Sequence, residues 1–146
     1  MDYRRIGDKV YIRIDKNEDI IHCVKKVCEE EHYCSAIFHG IGACGKVCIS
    51  TYLPETESFL DHWKEGLLEL ISLDGNISHD SDGRLYEHSH AMFSYLNESK
   101  ELSCFGGHLK KALVSYTAEI VLEELPEEGI GRMTDPYTGI SVWNFA

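Results

Sequence analysis

The chain has 146 residues, 43% of them hydrophobic, and its 14 Lys and Arg against 25 Asp and Glu give a formal net charge of −11. That length and apolar share suit a single domain with one ordinary core. The acidic balance works against polyanionic partners, whether nucleic acid or an anionic membrane surface. The opening MDYRRIGDKVYIRID alternates apolar and charged residues, unlike a signal peptide, and no apolar run reaches the roughly 20 residues that span a bilayer. The expected location is therefore the cytoplasm, where Cys23, Cys28, Cys34, Cys44, Cys48 and Cys104 would stay free thiols. Their close pairs, Cys23/Cys28 and Cys44/Cys48, leave four and three residues between partners, not the CxxC spacing of a zinc finger.

Val10, Ile12 and Ile14 alternate with Tyr11 and Arg13, the period of a half-buried strand, and a turn follows over Asp15 to Asn17. Asp15 and Glu18 have capping-box spacing, and Ile20, Ile21, Val24, Val27 and Cys28 then recur at helical intervals, predicting a helix over 18–32. From Cys34 onward the chain reads as strands: SAIFHGIG, KVCISTYL after a turn at Ala43 to Gly45, LLELISLDGNIS, LYEHSHAMFSYL, ALVSYTAEIVLEEL and GISVWNF. Short turn-forming stretches at Asp80 to Gly83 and Leu96 to Lys100 favour antiparallel pairing. The expectation is an α+β single domain over 1–146, a twisted, mainly antiparallel sheet with one or two flanking helices. The segment DHWKEGLLELISL is ambiguous, because Trp63, Leu67, Leu70 and Ile71 also have helical spacing.

Gly40, Gly42 and Gly45 spell GxGxxG, the turn that brings a dinucleotide to a helix N-terminus, but the β-branched KVCISTYL that follows is not helical. These glycines are better read as letting strands turn sharply. Ser78, His79 and Asp80 are triad residue types, yet neighbours on a strand face opposite ways and cannot form a relay. Trp63, Phe93, Tyr95 and Tyr116 are too poorly interleaved with basic residues for a base-stacking platform and read as packing residues.

His88 and His90 stand two apart on a predicted strand, so both imidazoles project from one face about 7 Å apart, within reach of one ion. His108, after Gly106 and Gly107, is a candidate third ligand, and three imidazoles with one open position suit catalytic zinc. Spacing alone equally allows His88 and His90 to be exposed strand residues and His108 an unrelated turn histidine. His22, His32, His39, His62 and His79 show no such pairing. Glu69, acidic within LLELISL, and Glu87, beside His88, are the candidate catalytic carboxylates, as proton carriers; Glu69 equally fits a solvent-facing strand position.

Taken in order, GIGACG at 40–45, LLELISLDGNIS at 67–78, HSH at 88–90, GGHL at 106–109, AEIVLEEL at 118–125, and Arg132 with Asp135 and TGI at 138–140 resemble the plants-and-prokaryotes-conserved (PPC) domain family over nearly the whole chain. The resemblance implies a mainly antiparallel α+β domain, assembled as a homotrimer. It implies a metal site at His88, His90 and His108, with zinc the leading ion and nickel, copper or iron able to take the same ligands. Plant members follow AT-hook DNA-binding segments, and stand-alone prokaryotic members carry the label "putative DNA-binding". No AT-hook occurs here, which with the acidic charge argues against direct DNA contact. Arg132 and Asp135 read either as a pair fixing the last turn or as a charged group for the pocket. The leading expectation is a metal-binding domain that binds, or activates water against, a small anionic molecule. Rival expectations are a DNA-binding or transcription-associated regulatory protein and a trimeric assembly module.

Overall fold

The alternation at Val10, Ile12 and Ile14 becomes strand β2 (Lys9–Asp15), whose three apolar side chains are buried and which pairs antiparallel with β1 (Asp2–Ile6). The computed structural model describes residues 1–125 and 129–145. Helix α1 (Ile20–Glu31) follows, then β3 (Ala36–Leu53), β4 (Ser58–His79), β5 (Leu85–Leu96), β6 (Leu102–Glu124), β7 (Gly131–Thr134) and β8 (Ser141–Asn144). Among the described residues α1 is the only helix, so the fold is largely β with one flanking helix, short of an even α+β mixture.

The helix begins two residues later than its predicted start. Asp19 is the N-cap, its carboxylate accepting the His22 N–H at 3.0 Å. Glu18 accepts the Asp15 N–H at 2.8 Å, so the capping-box pair tightens the turn before the helix instead of capping it. Ile20, Cys23, Val24, Val27 and Cys28 form its buried face, each large side chain contributing about 1.5–3 kcal/mol. The helix ends where His32 turns left-handed at φ 61° and its N–H meets the carbonyls of Cys28 and Glu29.

SAIFHGIG and KVCISTYL are one continuous strand, not two joined by a turn at Ala43 to Gly45. β3 runs for 18 residues and absorbs its bend in register shifts at Gly40/Gly42 and Cys44/Lys46. A Cβ on Gly42 would lie 2.6 Å from both the Thr117 carbonyl and Ala118 Cα. The GxGxxG stretch thus lets β3 lie close against β6, and no phosphate-binding helix follows it. DHWKEGLLELISL is strand throughout, with Leu68 and Leu70 buried while Leu67, Glu69 and Ile71 face out.

The pairing is antiparallel except for one parallel contact of β7 with β4. β3 pairs with β4 and β6, β4 with β5, and β5 with β6, so these four long strands close on one another. β2 extends the sheet along the far end of β6, and α1 packs against β2, β5 and β6. Phe38, Leu73, Ile77, Phe93, Leu109, Ile120 and Leu122 fill the interior together with the helix face. Cys23, Cys28, Cys44 and Cys48 are buried and Cys34 and Cys104 exposed, all as free thiols.

Asp19 also bridges to the Leu113 region of β6, so Asp19→Ala should cost about 1–2 kcal/mol of unfolding free energy, read by urea titration.

Candidate metal centre

Burial along β5 alternates. Ser89, Ala91 and Phe93 face the core, while Tyr86, His90 and Met92 are exposed and His88 is half-buried on the same outer side. Directly paired residues share a face, and His90 pairs with His108 of β6 while His88 pairs with Asn76 of β4. The three histidines therefore meet on the outer surface. Their ring centroids are 5.4 Å (His88–His90), 5.1 Å (His88–His108) and 5.5 Å (His90–His108) apart. One ligand nitrogen from each lies within 4.8 Å of the others. A tetrahedral ion with ~2.1 Å bonds needs nitrogens about 3.4 Å apart, a distance small side-chain rotations would supply.

Gly106 and Gly107 set the approach of β6. A Cβ on Gly106 would meet the Ala91 carbonyl at 2.5 Å, and Gly107 takes φ +149°, which side-chain-bearing residues rarely adopt. Phe59 lies 5.3 Å from the His108 ring on its other side. Beneath, Ser50, paired with His108, donates to Asp61 at 2.6 Å, and Lys110 holds the same carboxylate at 2.9 Å. Partial burial, then the cationic Arg132 and the neighbouring His90, lower the His88 pKa. Burial and the other two histidines do the same to His108. Both shifts favour the neutral imidazole, the form that ligates metals.

His88 and His108 open onto a cleft of about 300 Å³ walled by Tyr52, Phe59, Tyr86 and Ile140, with Arg132 in it. The Arg132 guanidinium donates to Ser78 Oγ (2.8 Å), the Ser141 carbonyl (3.0 Å) and Asn76 Oδ1 (3.1 Å), and its carbon sits 4.3 Å from the centre of the Tyr86 ring. Asp135 is not its partner. It accepts from Thr138 N and Oγ1 and fixes the turn before β8, so the two residues divide the roles the sequence left open.

Neither candidate carboxylate reaches the histidines. Glu87 follows strand alternation to the core side of β5, opposite its neighbour His88. Glu69 is exposed on β4, paired with Ser94 and five residues before Asp74, the partner of His90, which places it about 16 Å along the strand. Ser78, bound to Arg132, and His79 point to opposite faces, so no triad forms. Phe93 and Tyr95 pack against Phe105, and Trp63 and Tyr116 are exposed. The residue that sequence reasoning left unplaced is Arg132, whose partners lie 54 and 56 positions away in β4.

Residues 1–126 match the model of the Plants and Prokaryotes Conserved (PCC) domain. The chain belongs to this family. Solved structures similar to this PCC chain include a plant- and prokaryote-conserved protein from Pyrococcus horikoshii, 32% identical, covering 99% of this chain and 94% of that one at TM-score 0.80. A "putative" DNA-binding protein from Bacteroides thetaiotaomicron is 27% identical, with 99% and 96% covered at TM-score 0.88. A metal-containing protein from Archaeoglobus fulgidus is 26% identical, with 99% of both chains covered at TM-score 0.84. No curated protein matches the chain. No helix among the described residues is long and apolar enough to cross a membrane.

Burial pushes the Glu87 carboxyl up from 4.5 to about 7, and its Oε1 has no hydrogen-bond partner. The folded, metal-free chain thus holds that proton more tightly than the unfolded chain. Stability linked to Glu87 is fully present below pH 4.5 and is lost as pH rises through 7. Glu87→Gln should therefore match the wild type near pH 4.5 and exceed it by up to roughly 3 kcal/mol at pH 8, measured by urea unfolding at both values.

Proposed function

We propose that this PCC domain binds a divalent metal ion, zinc before nickel, copper or iron, through His88, His90 and His108, and holds a small anionic molecule beside it. The observation that carries this reading is the convergence of three imidazoles whose ligand atoms all lie within 4.8 Å of one another. The metal-containing relative from Archaeoglobus fulgidus supports it. An ion at this point would supply Lewis acidity to an oxyanion or a water molecule. The chain's own residues present three converging imidazoles and leave the side toward the cleft open. Glu69 and Glu87 are given no proton-carrying part, because one is distant and the other faces the core.

The DNA-binding description of the Bacteroides relative does not carry over as direct contact, since the net charge of −11 repels a phosphate backbone. Any influence on transcription would run through a partner protein. Assembly as a homotrimer has its own support. Tyr11, Ile41 and Ile71 are 44%, 56% and 50% exposed around a shallow cleft of about 900 Å³ on the outer face, apolar area that a second copy would cover. With the free thiols it fits the expected cytoplasmic setting.

Purified, tag-free protein should carry about one metal ion per chain by elemental analysis, and a variant with His88, His90 and His108 all changed to Ala should carry none. A metal-free wild type after zinc loading and desalting would sink the reading. In sedimentation equilibrium the wild type should run at three times the chain mass and Ile71→Asp should shift toward monomer; an unchanged mass for that variant would exclude this face from the interface.

A further inference from the structure

Among the described residues, Arg132 is a half-buried cation without a counter-ion. Each acceptor it meets among the described residues is neutral: a serine hydroxyl, a backbone carbonyl and an amide oxygen. No carboxylate among them lies within ion-pair distance of it. Guanidinium has five N–H donors, so about two remain unspent after these three bonds. Taking such a charge partly out of water is costly unless an anion answers it. The nearby Glu87 contributes only a through-space attraction, because it faces the other side of β5 and makes no hydrogen bond or ion pair with the guanidinium.

The side chain is also held in place. Ser78 and Asn76 grip the guanidinium from β4, the Ser141 carbonyl from the start of β8, and Tyr86 supports its flat face. These are residues of the rows next to the histidines, since Asn76 pairs with His88 and Ser78 with Tyr86. A fixed fork costs little entropy when it binds a two-oxygen group. Arg132, His88 and His108 line one cleft of about 300 Å³, whose remaining walls mix aromatic and aliphatic side chains with Thr138, Ser141 and the exposed, acidic Glu57. That volume admits a molecule of a few heavy atoms and no polymer.

We infer that Arg132 is the anchor of an oxyanion subsite, and that the molecule bound at the three-histidine centre is a small carboxylate or phosphate held between the guanidinium and the histidine-bound ion. This rests on the metal reading above for one end of the ligand and on Arg132 alone for the other. Arg132 stands in the C-terminal hairpin of β7 and β8, beyond residues 1–126 that the family model matches.

The test is isothermal titration of zinc-loaded and chelator-stripped protein with acetate, benzoate and inorganic phosphate at constant ionic strength. Trp143 fluorescence serves as a second readout, because its indole N–H donates to the same Asn76 oxygen that Arg132 uses. Wild type should bind at least one probe, and R132Q should bind it about tenfold or more weakly while keeping its metal content and near-ultraviolet spectrum. R132K should recover only part of the loss, having charge without the fork. Should R132Q fold poorly, N76D sets a carboxylate against the same guanidinium and must weaken the probe likewise. Acetate or benzoate outranking phosphate identifies a carboxylate ligand, and the reverse a phosphate. Binding of no probe by wild type, or equal binding by wild type, R132Q and N76D, overturns the inference while leaving metal content untouched. A wild type without metal overturns the centre instead, and Arg132-dependent binding by stripped protein would then stand by itself.

Discussion

β6 hydrogen-bonds three strands along its 23 residues: β2 over Thr117–Glu123, β3 over most of its length, and β5 over Leu102–His108. The last pairing closes the sheet on itself and sets the register that puts His90 opposite His108. Side chains alternate along a strand, so a slip of one residue would turn both histidines into the core and Ala91 and Leu109 out to water. Burial of Phe93, Leu109, Leu73 and Ile77 opposes that slip, each worth about 1.5–3 kcal/mol. The geometry of the polar face is thus held by apolar packing on the other face. Gly106 completes the arrangement by removing a side chain that would push β6 away from β5, and Gly107 does the same against Ile49 of β3.

Charge is distributed unevenly over this frame. The molecule as a whole is acidic, yet the cleft beside the histidines holds Arg132, and Lys110 sits next to His108. A field of this kind keeps polyanions off the surface, while a short-range cationic pocket still attracts a small anion. Desolvation acts in opposite senses on the two faces of β5. It favours neutral His88 outside, and it raises the Glu87 carboxyl to about 7 inside. One strand therefore carries a metal-ready imidazole and a carboxyl raised to about 7 at adjacent positions.

Local pattern carried well where a single element answers to a single face. β2 and α1 follow from the alternation at Val10, Ile12 and Ile14 and the helical spacing of Ile20, Val24 and Val27, because each presents one side to a core. The pattern misled where a strand bends. Glycines at 40, 42 and 45 look like punctuation in one dimension, but β3 passes through them against β6, and a bulge and a turn have similar residue preferences. DHWKEGLLELISL was ambiguous for a related reason. Part of it lies on an outward apolar surface, so its exposed face is apolar too and blurs the period.

The order of residues by itself determined that His88 and His90 share a face, since a two-residue step on a strand brings a side chain back to the same side whatever surrounds it. It also carried the family resemblance, the acidic charge and the turns that make the sheet antiparallel. Tertiary structure alone decided that His108 completes the cluster, that Glu69 stands apart, and that Arg132 reaches Asn76 and Ser78 across more than 50 positions of sequence. Those outcomes depend on which strands pair and in what register, and that choice is made by the burial of the whole core, a sum over distant residues that no local window contains.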